Sequence, residues 1–231
     1  MNWKIFTLVL LTVFTSGRAA DMDQLRGDSV GWARLKTSSP HWMRHSTGDP
    51  LLMRFFRENT TLNIAPNWET ADVENLEEMC AYPFLFTQGI HTVRSATAQH
   101  NIGEYIRRGG FLLIDACINH DVTPSVDGFY DDQVRALAVI LPEAHVVSLP
   151  NNHPIYDAFF HIPGGPPHTN VTYEWVRRGL YGIEWNSRLV GVISFSGLQC
   201  GWDGMEETRT SRRDSMRMLV NIYVYAMLRT Q

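Results

Sequence analysis

Asp115-Ala116-Cys117-Ile118-Asn119-His120-Asp121 gathers a carboxylate, a thiol and an imidazole in one short stretch, the richest such grouping in the chain. Asp115 can orient a histidine, ligate a metal or serve as a base. Cys117 becomes a nucleophile when a nearby base lowers its pKa, and His120 can be that base or a ligand. As a metal set, Asp115, Cys117 and His120 mix hard and soft donors, so the pattern is weak. A purely structural reading competes: Asp115 caps the next turn, Cys117 packs and His120 faces water.

Asn151-Asn152-His153-Pro154-Ile155-Tyr156 is the second candidate. Pro154 suits a first helical position, which makes His153 the N-cap beside backbone N–H groups that attract an anion. That field disfavours imidazolium, so His153 is expected to be a neutral hydrogen-bonding group. The alternative is a loop histidine that only fixes the turn.

Ser194-Phe195-Ser196-Gly197-Leu198-Gln199-Cys200-Gly201-Trp202 is the third. Ser194 and Ser196 are candidate ligand contacts near Gly197, which permits close backbone approach. Neither serine lies in a Gly-x-Ser-x-Gly elbow, so serine-based acyl transfer has little support. Trp202 either stacks a sugar and closes a pocket or packs in the core. Phosphate-loop, Walker and His-Glu-x-x-His motifs are missing, and no cofactor is assigned.

These segments can meet only if strands deliver them to one edge. Phe111-Leu112-Leu113-Ile114 is apolar without alternation, as in a strand covered on both faces, hence a parallel sheet with Asp115 at its carboxyl end. Strands are also expected at 31–35, 61–64, 82–87 and 144–149, and a hairpin at 180–195 around Asn186-Ser187. Helices are expected after an Asp49 N-cap with Pro50 next, and at 70–79, 95–108, 131–141, 153–160 and 208–228. In the last helix Met216, Leu219, Val220, Tyr223 and Met227 form one apolar stripe. This alternation predicts a doubly wound, mainly parallel α/β sandwich that binds ligands beyond its strands' carboxyl ends.

With 231 residues, 44% hydrophobic and 19% charged, the chain is neither disordered nor low in complexity. A formal net charge of -4 gives no basic field for nucleic acid or an acidic membrane surface. Lys4, the apolar run from Ile5 to Phe14, and Gly17 and Ala19 before a cleavage point read as a signal peptide over 1–20. Residues 21–231 are then one exported domain, periplasmic or secreted, with no second stretch of membrane-spanning length. Cys80, Cys117 and Cys200 are odd in number, so at least one lies outside any intrachain disulfide; a buried thiol is the expectation.

Arg107-Arg108-Gly109-Gly110-Phe111-Leu112-Leu113-Ile114-Asp115-Ala116-Cys117 resembles the central signature of domain-of-unknown-function family 4159. So do Ala33-Arg34-Leu35, Tyr82-Pro83-Phe84-Leu85, Asn152-His153-Pro154-Ile155-Tyr156 and Asn221-Ile222-Tyr223-Val224-Tyr225-Ala226. The resemblance spans nearly all of residues 21–231 in order. It implies a flavodoxin-like three-layer sandwich of the class I glutamine-amidotransferase type, with trehalose-utilisation ThuA-like proteins as more distant relatives. Relatives are often bacterial exported or membrane-attached proteins encoded near MoxR-type ATPases and von Willebrand factor A proteins, which suggests an assembly role with protein partners. Amidotransferases carry a glycine-flanked cysteine directly after the central strand. Here Asp115 holds that place, and Cys117 lacks both the position and the glycines, so that triad does not carry over. The favoured reading is a noncatalytic module that binds a small molecule, a carbohydrate or a protein partner. A hydrolase or carbohydrate-modifying enzyme is the alternative, with Asp115 or Cys117 and His153 in one pocket and Tyr156 or Trp202 against substrate. A metal-binding protein is the third reading.

Overall fold

In the computed structural model, residues 29–115, 126–167, 179–203 and 209–229 are described. The chain is mixed α/β, with helices interleaved among the strands of one sheet of seven. The strands are β1 (Ala33–Lys36), β2 (Glu69–Asp72), β3 (Phe84–Thr87), β4 (Phe111–Asp115), β5 (His145–Leu149), β6 (Leu180–Trp185) and β7 (Arg188–Ser194). Their order is β2-β1-β3-β4-β7-β6-β5. Parallel pairing runs from β2 through β1, β3 and β4 to β7, and β6 and β5 add an antiparallel flank.

β4 is the middle strand, and every residue of it is buried. Its pleat feeds two cores. Leu112 and Ile114 join Ile102, Tyr105, Ile106 and Leu137, from α3 (Ala96–Arg107) and α4 (Val126–Ile140). Phe111 and Leu113 join residues of α1 (Asp49–Asn59), α5 (Leu198–Asp203) and α6 (Arg209–Arg229) on the other face. The run without alternation is thus a strand that buries both faces. In α6, Met216, Leu219, Val220 and Tyr223 are buried, and Met227 packs on the same core. The short α2 (Leu76–Cys80) starts at Asn75, whose side chain accepts from the N–H groups of Glu77 and Glu78.

Several expected elements need correction. Residues 69–72 form the edge strand β2 instead of opening an acidic helix. The acidic residues there exploit an edge position, where one flank is free of pairing. Residues 61–64 contribute only an isolated bridge, Ile64 with Val30. After His153 there is one 3-10 turn, Pro154–Asp157, not a helix to 160. Gly48, not Asp49, is the N-cap of α1, because the Asp49 carboxylate turns inward to Arg34. Asn186 and Ser187 do turn the β6–β7 hairpin, with φ of 50° and 59°.

Candidate active site

Arg34 sits mid-strand in β1 with no solvent exposure, and a charge so placed must be paired. Its guanidinium takes both carboxylate oxygens of Asp49, with Nη2 donating to Oδ1 at 2.8 Å. The Trp202 indole N–H donates to the same Oδ1 at 2.9 Å. Nη1 donates to the Arg44 carbonyl at 3.0 Å and, at 3.5 Å, to that of Trp42. Gln88, one residue beyond β3, donates to the Arg44 carbonyl as well, at 3.0 Å. Two neighbouring strands thereby lay the 37–48 loop along their carboxyl ends.

The residue after Arg44 is His45, whose backbone is left-handed at φ 59°, ψ 18°. For a residue with a Cβ this costs about 1 kcal/mol, a strain that collects at functional sites. Gly48 closes the loop against α5 so tightly that a Cβ there would stand 2.4 Å from Asp203 Cα.

α5 starts where β7 ends. Its first amides are capped across the sheet: the Asp115 carboxylate accepts from Leu198 N–H at 3.1 Å and Gln199 N–H at 2.9 Å. Gln199 Nε2 donates back to the Asp115 carbonyl at 2.9 Å. Cys200 and Asp203 stand three residues apart on this helix, a spacing that puts both on one face.

That face meets His45. Nδ1 lies 2.8 Å from Asp203 Oδ2, and Nε2 lies 3.9 Å from Cys200 Sγ. Thr47 donates its hydroxyl to the other oxygen, Oδ1, at 2.6 Å. Burial pushes the Asp203 carboxyl up, but hydrogen bonds from Thr47 and His45, with the charges of His45 and Arg34, outweigh it and hold it below its ordinary 3.8. An ionised carboxylate only accepts, so the hydrogen-bond network assigns a proton to Nδ1; in the neutral ring the Nε2 lone pair then faces the thiol. Thiol, imidazole and carboxylate stand in series, the order of nucleophile, base and orienting group. The two ring nitrogens face different partners, as a relay requires. Among the described residues, no three His, Cys, Asp or Glu side chains are arranged to hold a metal ion.

The cluster lies beside the β1–β3 boundary. There the strand order changes direction, since the chain steps outward from β1 to β2 and then back across to β3. In open α/β sheets, ligands bind in the crevice beyond such a switch point.

The residues singled out in the sequence fall as follows. Cys117 and His120 lie outside the described residues. Asp115 is fully buried and pairs in register with Ser194, so these two meet at the carboxyl edge. Ser194 Oγ accepts from the Ser196 N–H at 3.2 Å. His153 is an N-cap, its Nδ1 accepting from Ile155 N–H at 3.2 Å, and its ring packs on Tyr225. It follows β5, three strands from β4, roughly 14 Å along the sheet, so direct partnership with Asp115 lacks geometric support. Tyr156 is enclosed, and burial pushes its hydroxyl up to about 12. Trp202 is buried against Trp32 and Phe86.

Sequence reasoning passed over His45 and Asp203. A signal was available in the Cys-x-x-Asp spacing at 200–203 and in an arginine set inside an apolar strand pattern.

Residues 32–227 match the model of a family described only as a domain of unknown function, DUF4159. No curated protein matches the chain.

Proposed function

We propose, for a chain that belongs to the DUF4159 family, a thiol-dependent hydrolase of an ester or amide, with Cys200 as nucleophile, His45 as base and Asp203 as positioning residue. The single observation that carries this reading is the series Cys200–His45–Asp203, with His45 Nε2 3.9 Å from Sγ and Nδ1 2.8 Å from the carboxylate. His45 Nε2 takes the thiol proton as sulfur attacks the substrate carbonyl carbon. The same nitrogen then protonates the departing alcohol or amine, leaving a thioester. Water, deprotonated by His45, attacks the thioester carbon, and the acid departs as the thiol regains its proton. The amides of Leu198 and Gln199 are held by Asp115, so the start of α5 is not what stabilises the oxyanion.

The strand order β2-β1-β3-β4-β7 supports a flavodoxin-like sandwich, and kinship with glutamine amidotransferases and ThuA-like proteins belongs to the same proposal. The missing cysteine elbow at Asp115 favours a noncatalytic module. An elbow is one way to present a nucleophile, however, and the edge next to it pairs a thiol with a base by another. A carbohydrate substrate draws no support from Tyr156 or Trp202, both enclosed. Export remains part of the proposal, tested by whether secreted protein begins near residue 20.

The test uses p-nitrophenyl acetate with the full chain, read by intact mass and peptide mapping. Expected is a burst of p-nitrophenol with an acetyl group on Cys200, abolished in Cys200→Ala and His45→Gln. Acetylation confined to other residues, or turnover unchanged in Cys200→Ala, overturns the reading. It would return the chain to the binding-module class.

A further inference from the structure

We infer that Arg34 is a second positioning residue of this site, beside Asp203: its guanidinium sets the register between the loop that carries His45 and the helix that carries Cys200 and Asp203. The inference rests on the thiol-hydrolase reading and adds what holds its geometry.

One planar group reaches the residue before His45 directly and the residue before Asp203 through Asp49. Nη1 holds the carbonyl of Arg44, the residue before His45. Nε and Nη2 hold Asp49, the residue after Gly48, where the loop enters α1. Asp49 in turn accepts from Trp202, the residue before Asp203. The guanidinium Cζ lies 4.8 Å from the Phe86 ring centroid and 6.0 Å from that of Trp202, so cation–π attraction helps hold it in place. A strained histidine backbone persists only where its surroundings over-determine it, and here two side chains hold the preceding carbonyl. Arginine alone supplies five donors in a fixed fork; lysine would keep the charge and lose the fork. Its charge also reaches the Asp203 carboxylate, which shares His45 with the thiol.

Iodoacetamide is the probe, with Cys200 alkylation followed by peptide mapping from pH 5 to 10 in the full chain. In the native protein the reaction should retain a shoulder below the ordinary thiol titration near pH 8.5, and His45→Gln should remove it. Arg34→Lys should also remove the shoulder and slow alkylation at pH 7 by tenfold or more, while hydrolysis of p-nitrophenyl acetate loses kcat more than it changes KM. Gln88→Met takes away the second donor to the Arg44 carbonyl at a milder site, and a several-fold loss with the same change of profile is expected. If Arg34→Lys fails to fold, Gln88→Met decides. A folded Arg34→Lys, or Gln88→Met, with the native pH profile overturns the inference while His45 dependence stands. Loss of His45 dependence itself overturns the hydrolase reading and this one with it.

Discussion

The imidazole of His45 and the carboxylate of Asp203 meet at 2.8 Å across 158 residues of chain. Neither belongs to the sheet. Each is carried by a segment leaving a strand's carboxyl end, one after β1 and one beyond β7, and β4 with β3 lies between those strands. The contact therefore reports that the loop and α5 close over the edge together. The Gly48 approach to Asp203 Cα reports the same closure from the backbone side.

Asp203→Asn removes the charge that selects the Nδ1–H tautomer. Cys200 alkylation at pH 7 should slow on the order of 10²-fold, within the usual worth of a positioned base. Thr47 keeps an acceptor in the asparagine, so the fold is expected to survive. Since the folded Asp203 carboxyl titrates below 3.8, its stabilisation is present above that value and lost only as pH falls through the lower one. The variant should consequently lose stability relative to the native chain at pH 5 and converge on it in stronger acid, as urea unfolding would register.

Gly48→Ala tests the closure without touching the reacting groups. The added methyl would meet backbone, Asp203 Cα at 2.4 Å and Asp203 N and Trp202 O at 2.8 Å, and backbone cannot rotate aside. The loop must lift. Destabilisation of about 1–3 kcal/mol is expected from overpacking, together with slower Cys200 alkylation. Native alkylation in the destabilised variant would mean that His45 does not need the loop in place.

The sheet was more legible than the site, and for physical reasons. Phe111 to Ile114 bury both faces, so composition alone reveals a central strand. β2 is a short edge strand with exposed Glu69 and Thr70, and its local pattern gives no apolar signal to read. His45 lies in an irregular loop where no periodicity marks it, and only the strand order brings that loop beside α5. Cys200 stands in a segment where two serines and a glycine give the more familiar chemical signal. Its base, His45, comes from the other end of the chain, beyond the reach of any local motif.

Asp115 distinguishes a cap from a base. Asp115→Ala leaves the buried amides of Leu198 and Gln199 without this acceptor, at about 2–4 kcal/mol for the pair. Asp115→Asn keeps one acceptor and removes the negative charge next to the start of α5, which should favour the Cys200 thiolate. Alkylation of Cys200 at pH 7 is thus expected to rise a few-fold in Asp115→Asn. A catalytic base at Asp115 predicts the opposite, a fall in rate, and the sign of the change separates the two roles.

His91 lies beyond β3, on the other face of the sheet from α5. Its Nδ1 accepts from Gln133 Nε2 at 2.7 Å, while the buried Gln133 takes the Ile90 N–H on Oε1 at 2.9 Å. Burial lowers the His91 pKa from 6.5 and Arg94 lowers it further, against the opposing pull of Asp132. The folded chain therefore holds a neutral imidazole in a range where the unfolded chain has already bound a proton. Stability from this residue is complete above about 6.5 and is lost as pH falls toward the lower folded value, below which the loss levels off. Melting temperatures from pH 7.5 down to 5 should accordingly fall more steeply in the native chain than in His91→Gln, whose amide can accept from Gln133 but does not titrate. Parallel curves for the two proteins would show that His91 takes up its proton as readily folded as unfolded.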